Sequence, residues 1–321
     1  MQVALLNNLR AGRSAAQVRR ILDLLRAYPH VQHVETENSF VLPEALAQLA
    51  QRRVDLLVVN GGDGSINHVL TEILSNDVFG DIPLVAPLRG GRTNMTALDL
   101  GAQRDPVKGL AAVLRAVEEG RIEERIVRRP VLRVSSNRRR ETHYGMFFGA
   151  GMILRAIQLT HRLFPTGRSQ GVFGAGIVTA LLIARNGIRP QQPKGGVIRP
   201  DKAQVSLDGW PVPDAEFSLL IASSLERLFL RMNPFWGSGP GGVRFTGIAT
   251  LARHKRRGVL GALRGHPRPF VTPENGWTSR NAERAELRID CGFSIDGEVF
   301  APEPDEFVTL RADRRVRFVR A

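Results

Sequence analysis

Short apolar runs alternate with amphipathic stretches of helical length over the first 122 residues, and this alternation restricts the possible folds more than any other feature of the chain. "VALLNN" is followed by "SAAQVRRILDLLRAY", "VQHVET" by "LPEALAQLAQR", and "VDLLVV" by "INHVLTEIL", and the series reaches "IPLVAPL". Strands separated by helices of this length make right-handed crossovers in a parallel sheet. The first domain, residues 1–125, is therefore expected to be a doubly wound, Rossmann-like α/β unit.

From Ile126 the texture changes. "IVRRPVLRVS", "THYGMFFGAG", "AQVSLDG", "AEFSLLIAS", "GVRFTGIAT", "AELRID", "GFSIDGEVF" and "EFVTLRADRRVRFV" follow one another across Gly- and Pro-rich turns. That pattern predicts an antiparallel β-sandwich over residues 126–304, interrupted by a mainly helical stretch between Arg155 and Asn186. A length of 321 residues suits two domains, each burying its own core, and shows no internal repeat at solenoid periods.

Charge narrows the partners. Lys and Arg number 45 against 31 Asp and Glu, a formal net charge of +14, which favours nucleic acid, an anionic membrane or phosphorylated small molecules. No acid occurs between Glu141 and Asp201 or between Glu226 and Glu274, so the positive potential concentrates in the second half. For any single Arg, a GC-rich coding bias is the better explanation. The lone Cys291 excludes an internal disulfide framework and a cysteine-based metal cluster, and fits a reducing cytoplasm. "MQVALLNNLR" enters a strand with no basic leader. The longest apolar run, Gly171 to Ala184, has 14 residues and is too short to span a bilayer. A cytoplasmic protein, soluble or peripheral on the inner membrane surface, is expected.

"VVNGGDGSIN" places Gly61, Gly62 and Gly64 between a buried-type strand and a helix, at the carboxyl edge of the sheet where open α/β folds bind ligands. Backbone N–H groups there can approach anionic oxygens closely, and the helix adds its positive end. Asp63 sits within this positive loop, where a carboxylate repels phosphate unless Mg²⁺ or a transferable proton mediates. Taken alone, the string reads at least as well as a tight turn with a capping aspartate. "APLRGGRTNMTALDLG" supplies a second glycine turn after the next strand, and "SIDGEVF" an Asp-Gly-Glu from the second domain. Neither a Walker-type G-x-x-x-x-G-K-[ST] loop nor a G-x-G-x-x-G after the first strand is present.

These elements together resemble the diacylglycerol kinase catalytic domain and its relatives, the bacterial lipid kinases and sphingosine kinases, and more distantly the NAD kinases. The GGDGT motif is matched by Gly61, Gly62, Asp63, Gly64 and Ser65, followed by Asn67. The P-x-G-T-x-N motif is matched loosely by Pro87, then by Gly90, Gly91, Arg92, Thr93 and Asn94. The N-P-x-x-G turn has Asn8 and Gly12 with Leu9 for proline, and the D-G-E element is Asp296, Gly297 and Glu298. The resemblance implies an ATP cleft between the two domains, Mg²⁺ at Asp63, and Asp296 or Asp63 as general base, with Asp296 preferred. It also implies that the last strand returns to the first domain and adds residues 305–321 to it. Without the resemblance, Asp296-Gly297 reads as a type I′ hairpin turn.

Three positions depart from the family pattern. Arg92 stands where the family has threonine, Met95 where many relatives have aspartate, and Ile153 where a substrate-holding aspartate falls. His68 reads as a surface histidine, and His161, His254 and His266 lack the spacing of a zinc site. Two basic stretches remain. In Leu159 to Pro190 an anionic-membrane contact and an ordinary packed helix are equally good readings. Ala252 to Arg268 lacks the interleaved aromatics of a base-stacking platform, so a solvated loop or a membrane-facing patch is expected there and no nucleic acid. The expected function is an ATP- and Mg²⁺-dependent kinase acting on a diacylglycerol-like or long-chain-base lipid alcohol. An NAD kinase and a catalytically inactive binding homologue are the alternatives, and a homodimer stays open.

Overall fold

A computed structural model describes residues 1–9, 15–36, 41–76, 78–91, 93–163, 200–228 and 232–321. It divides into two compact units, residues 1–129 with 315–321, and residues 130–314.

The first unit contains β1 (Val3–Asn8), α1 (Ala15–Leu25), β2 (Gln32–Thr36), α2 (Leu42–Gln51), β3 (Leu56–Gly61), α3 (Asp63–Ser75), β4 (Leu84–Arg89), α4 (Met95–Asp99) and α5 (Pro106–Glu118). The strands lie parallel in the order β2, β1, β3, β4, with Val58 between Leu5 and Ala86. Every residue of β3 is buried, as a central parallel strand covered on both faces requires. The helices supply that cover by their spacing: α2 buries Leu42, Ala45, Leu46 and Leu49, one stripe at helical period. Asp105 caps α5 by accepting the Val107 N–H at 2.9 Å, with Pro106 in the first turn. Leu5, Val58, Ala86, Leu110, Val113 and Val319 share one core.

The second unit is antiparallel. It is built from β5 (Ile126–Ser136), β6 (His143–Gly145), β7 (Phe147–Gly151), α6 (Met152–Leu163), β8 (Asp201–Leu207), β9 (Trp210–Pro211), β10 (Glu216–Ser223), β11 (Val243–Ala249), α7 (Lys255–Leu263), β12 (Trp277–Ala282), β13 (Arg284–Ile289), β14 (Phe293–Ile295), β15 (Glu298–Phe300) and β16 (Phe307–Val319). The ends of β5 and β16 fall on opposite sides of the division between units. At its far end β16 pairs within the first unit, Phe318 beside Val85.

One layer holds β5, β6, β8, β9, β13 and most of β16, the other β7, β10, β11, β12, β14 and β15. They meet where Phe217 of β10 pairs with Asp201 of β8, and both contribute to one core including Phe148, Phe217, Phe245, Leu287 and Leu310. This is the expected sandwich. Within the helical stretch expected from Arg155 to Asn186, α6 ends at Leu163; residues 164–199 lie outside the described residues, as does most of the first basic stretch. Cys291 lies in the turn after β13, packed on the core, and burial pushes its thiol up to about 11.

Three features escape the sequence pattern. One is α7, whose apolar residues are few. Another is β12, whose "WTSRNA" alternates poorly. The third is the segment "FWGSGPGG", which runs along the edge of β12 that β11 leaves open. The Ser238 carbonyl accepts the Asn281 N–H at 3.1 Å, and the Gly237 N–H donates to Ser279 Oγ at 3.0 Å. Glycine is required here by proximity: a Cβ on Gly241 would stand 1.7 Å from the Ala282 carbonyl carbon, and one on Gly239 2.1 Å from the Asn281 oxygen. The strap thereby protects an otherwise open strand edge.

Candidate active site

Both glycine turns of the first unit leave the carboxyl ends of neighbouring strands. Gly61 ends β3 and Gly62 precedes α3; Arg89 ends β4, and Gly90, Gly91, Thr93 and Asn94 lead to α4. The turns touch backbone to backbone. A Cβ on Gly90 would lie 2.4 Å from Asn60 Oδ1 and 2.6 Å from the Gly61 nitrogen, and a Cβ on Gly91 would lie 2.5 Å from Gly62 Cα. On Gly61 it would meet the Ser65 side chain at 2.5 Å. Three of these glycines therefore answer to internal packing before any ligand is considered.

Gly64 is different. Apart from its chain neighbours and the backbone of its own helix, no described atom lies within 4 Å of where its Cβ would stand, and its φ is not in the left-handed range. It occupies the first turn of α3, where the N–H groups have no partner within the helix and the dipole is positive. Neither sterics nor backbone conformation demands glycine at this position; open space in front of it suits an anion.

Asp63 has a task that the sequence does not show. Its buried carboxylate accepts the N–H groups of Met95 and Thr96, each at 3.0 Å. Those are the opening N–H groups of α4, whose own capping residue, Asn94, makes no side-chain cap. Asp63 is a capping aspartate, but for the helix of the other turn. Burial pushes its carboxyl above the ordinary range, and the bonds from Thr96 and Met95 pull it back down.

Asn94 closes the second turn on itself. Its Oδ1 accepts from the Gly91 N–H at 2.7 Å, its Nδ2 donates to the Gly91 carbonyl at 2.6 Å, and its φ of 50° is left-handed. Asn8 Nδ2 donates to Ser65 Oγ at 2.8 Å, fastening the end of β1 to α3. Beneath the turns, Asn60 Nδ2 donates to Asn7 Oδ1 at 2.7 Å, a buried amide pair across β1 and β3. The sequence reading passed over that pair; its signal was asparagine at the ends of two adjacent apolar runs.

The first unit thus gathers Asn8, Gly61, Gly62, Asp63, Ser65, Gly90, Gly91 and Asn94 in one interlocked set, with Gly64 beside them in the first turn of α3. Asn67 is buried on α3 and Thr93 lies in the second turn. Gly12 and Arg92 lie outside the described residues. The expectation of Mg²⁺ at Asp63 finds no companion ligands: among the described residues no group of three or more His, Cys, Asp or Glu is placed to hold a metal ion. With each oxygen of Asp63 on a backbone N–H, the donor set does not fit a resident ion held by protein groups alone.

Asp296 and Glu298 belong to the second unit. Asp296 and Gly297, at φ 48° and 94°, form the two-residue turn between paired Ile295 and Glu298, a primed hairpin geometry. The Asp296 carboxylate is buried and accepts the N–H groups of Met146 and Phe147, each at 2.9 Å. The turn is thereby locked onto the start of β7. Glu298 is half-buried at the start of β15. Ile153, in place of the family aspartate, is a core residue with Cγ2 2.7 Å from where a Gly149 Cβ would stand.

The fold, an α/β unit in one chain with an antiparallel sandwich, is shared by solved structures. Three from Bacillus anthracis str. Sterne, each described as a diacylglycerol kinase and in two cases provisionally so, match all of this chain and 97% of their own. TM-scores are 0.70, 0.65 and 0.60, at identities of 15%, 16% and 16%. Residues 2–124, within the first unit, match the family model described as the diacylglycerol kinase catalytic domain. No curated protein is similar enough to the chain to count as a match. Among the described residues no helix is long and apolar enough to cross a membrane.

Proposed function

We propose that the chain is an ATP-dependent lipid kinase, transferring the γ-phosphoryl group to the hydroxyl of a diacylglycerol-like or long-chain-base lipid. The observation that carries the nucleotide half is Gly64, a glycine at the start of a helix with open space before it among the described residues, where Gly61, Gly90 and Gly91 nearby are all accounted for by packing. The N–H groups of Gly64 and Ser65 would receive the phosphates, with Asn8, Asn67, Thr93 and Asn94 around the nucleotide. Gly12, Arg92 and Glu298 complete the proposed nucleotide-side set, Arg92 through its planar guanidinium. Mg²⁺ enters this reading with the phosphates it accompanies rather than as a resident ion.

The acceptor hydroxyl oxygen forms the new bond to the γ-phosphorus, the bond to the β-phosphate oxygen breaks, and ADP leaves. The hydroxyl proton goes to Asp296, whose carboxylate is fixed in place by the N–H groups of Met146 and Phe147. Positioning and charge neutralisation supply most of the remaining rate.

Purified protein with γ-labelled ATP should label diacylglycerol or a sphingoid base rather than NAD; label in NAD alone would transfer the reading to a dinucleotide kinase. Asp296→Asn should lower kcat by about 100-fold or more with ATP affinity retained, and should also lower the unfolding free energy by about 3 kcal/mol, because one of the Met146 and Phe147 N–H groups loses its acceptor. Activity surviving that substitution would remove its role. Gly64→Ala should hold or raise the melting temperature, since alanine is favoured over glycine in a helix by about 1 kcal/mol. ATP affinity should nonetheless fall by about ten-fold or more, a charged hydrogen bond being worth about 1.5–3 kcal/mol. Unchanged affinity would place the phosphates elsewhere.

A further inference from the structure

The segment from Thr250 to Val271 is used by neither glycine turn nor by the acids discussed above, and it is a built surface. Its centre, α7, is pinned from beneath by Trp277, which is fully buried. Trp277 Nε1 donates to the Arg253 carbonyl at 2.9 Å, and its ring lies so close that a Cβ on Gly258 would stand 2.9 Å away. Gly258, Val259 and Ala262 form the inner face of α7. The preceding turn is tied to the helix by Lys255 Nζ, which donates to the Thr250 carbonyl at 2.5 Å.

What this anchoring leaves outward is unusual in kind. Arg256, Arg257, Leu260 and Arg264 are exposed, and positions three and four apart share a helix face, so Leu260 stands among three guanidinium groups. Leu251, in the turn before α7, is 82% exposed, and Arg253, His254, His266 and Arg268 of the same segment are exposed as well. No acidic residue occurs from Arg227 to Pro273, so the local charge is uncompensated within the segment. Singly exposed leucines are ordinary; the feature here is two of them, Leu251 and Leu260, in one short segment with uncompensated cations.

We propose that α7 and the turn at Leu251 dock on the surface of an anionic lipid bilayer, the arginines meeting lipid phosphates while Leu251 and Leu260 enter the headgroup boundary. Charge complementarity selects an anionic surface, and the two leucines select a bilayer over a nucleic acid, whose phosphate backbone gives them nothing to bury against. The surface also lacks the exposed aromatic rings of a single-strand binding platform. The inference stands on this surface alone and is independent of whether the glycine turns hold ATP.

The test uses the full chain without nucleotide, co-sedimented with vesicles of phosphatidylcholine alone or mixed with phosphatidylglycerol. Binding to the mixed vesicles only is expected, weakening with salt. Arg256→Gln with Arg257→Gln should cost about thirty-fold in partitioning, each cation near the surface being worth about five-fold. Arg314→Gln with Arg315→Gln, equally exposed but elsewhere, should cost little. Leu251→Ser with Leu260→Ser should weaken vesicle binding while leaving any binding to duplex DNA unchanged. Equal losses in both arginine pairs would reduce the effect to net charge and overturn the proposal. So would indifference to the leucine pair, or duplex DNA outcompeting the vesicles. Melting curves of each variant verify folding, and all substituted side chains are exposed.

Discussion

Gly90→Ala is expected to destabilise the first unit by about 3 kcal/mol or more and to abolish the proposed nucleotide binding with it. The added methyl would stand 2.4 Å from Asn60 Oδ1, 2.6 Å from the Gly61 nitrogen and 2.9 Å from the Asn60 carbonyl carbon. Two of those atoms are backbone and the third belongs to a buried amide hydrogen-bonded to Asn7, so no flexible side-chain tip can yield. Relief requires the two turns to part, which shifts Gly91 from Gly62 and disturbs the capping of α4. Denaturant unfolding measures the loss directly. A Gly90→Ala protein as stable as its parent, binding ATP as well, would show that the turns are not held against each other. The comparison with Gly64→Ala is the sharper for being within one loop system: one glycine is required by the protein itself, the other by what the protein is proposed to bind.

Asp63→Asn should lose stability and activity together. An aspartate accepts with both oxygens, whereas asparagine must turn an NH₂ group toward either the Met95 or the Thr96 N–H, donor against donor, in a buried site. Losing one charge-assisted bond and leaving a buried N–H unpaired costs about 3 kcal/mol in all. Because α4 carries Asn94 at its start, and Asn94 holds Gly91, the loosening should reach the second turn and reduce phosphoryl transfer by at least about 100-fold. The alternative role, a metal ligand or base with no structural duty, predicts that the Asp63→Asn protein is stable but inactive. Paired measurement of unfolding free energy and turnover separates the two, and undiminished stability would defeat the capping account.

Much of the fold was legible because period and turn chemistry are local. The alternation of β-runs with helical stretches identified β1 to β4 and their crossovers, and the loss of helices after Ile126 identified the antiparallel unit. The strap along β12 was not legible: "GSGPGG" reads as an ordinary loop, and only the proximity of Ser279 and Asn281 shows why its glycines alternate. The helix α7 was missed for a related reason. Its inward face consists of Gly258, Val259 and Ala262, too small to give a hydrophobic stripe, because Trp277 fills the space beneath.

In the site, the residues were readable and their duties were not. GGDG, the second glycine turn and the Asp-Gly-Glu hairpin were all marked by composition, since glycine and aspartate in such strings are rare outside turns and anion sites. That Asp63 caps a helix 32 residues further along, and that Asp296 fastens its hairpin to Met146 and Phe147, depends on strands brought side by side by the fold. From its sequence alone, this chain settles the order of its elements, the parallel character of one sheet and the chemical types available at its edge, because each follows from neighbours a few residues apart. Which glycines serve the backbone and which face open space, and which donors each carboxylate meets, was decided only in three dimensions, because a hydrogen bond or a van der Waals limit is set by distance through space rather than along the chain.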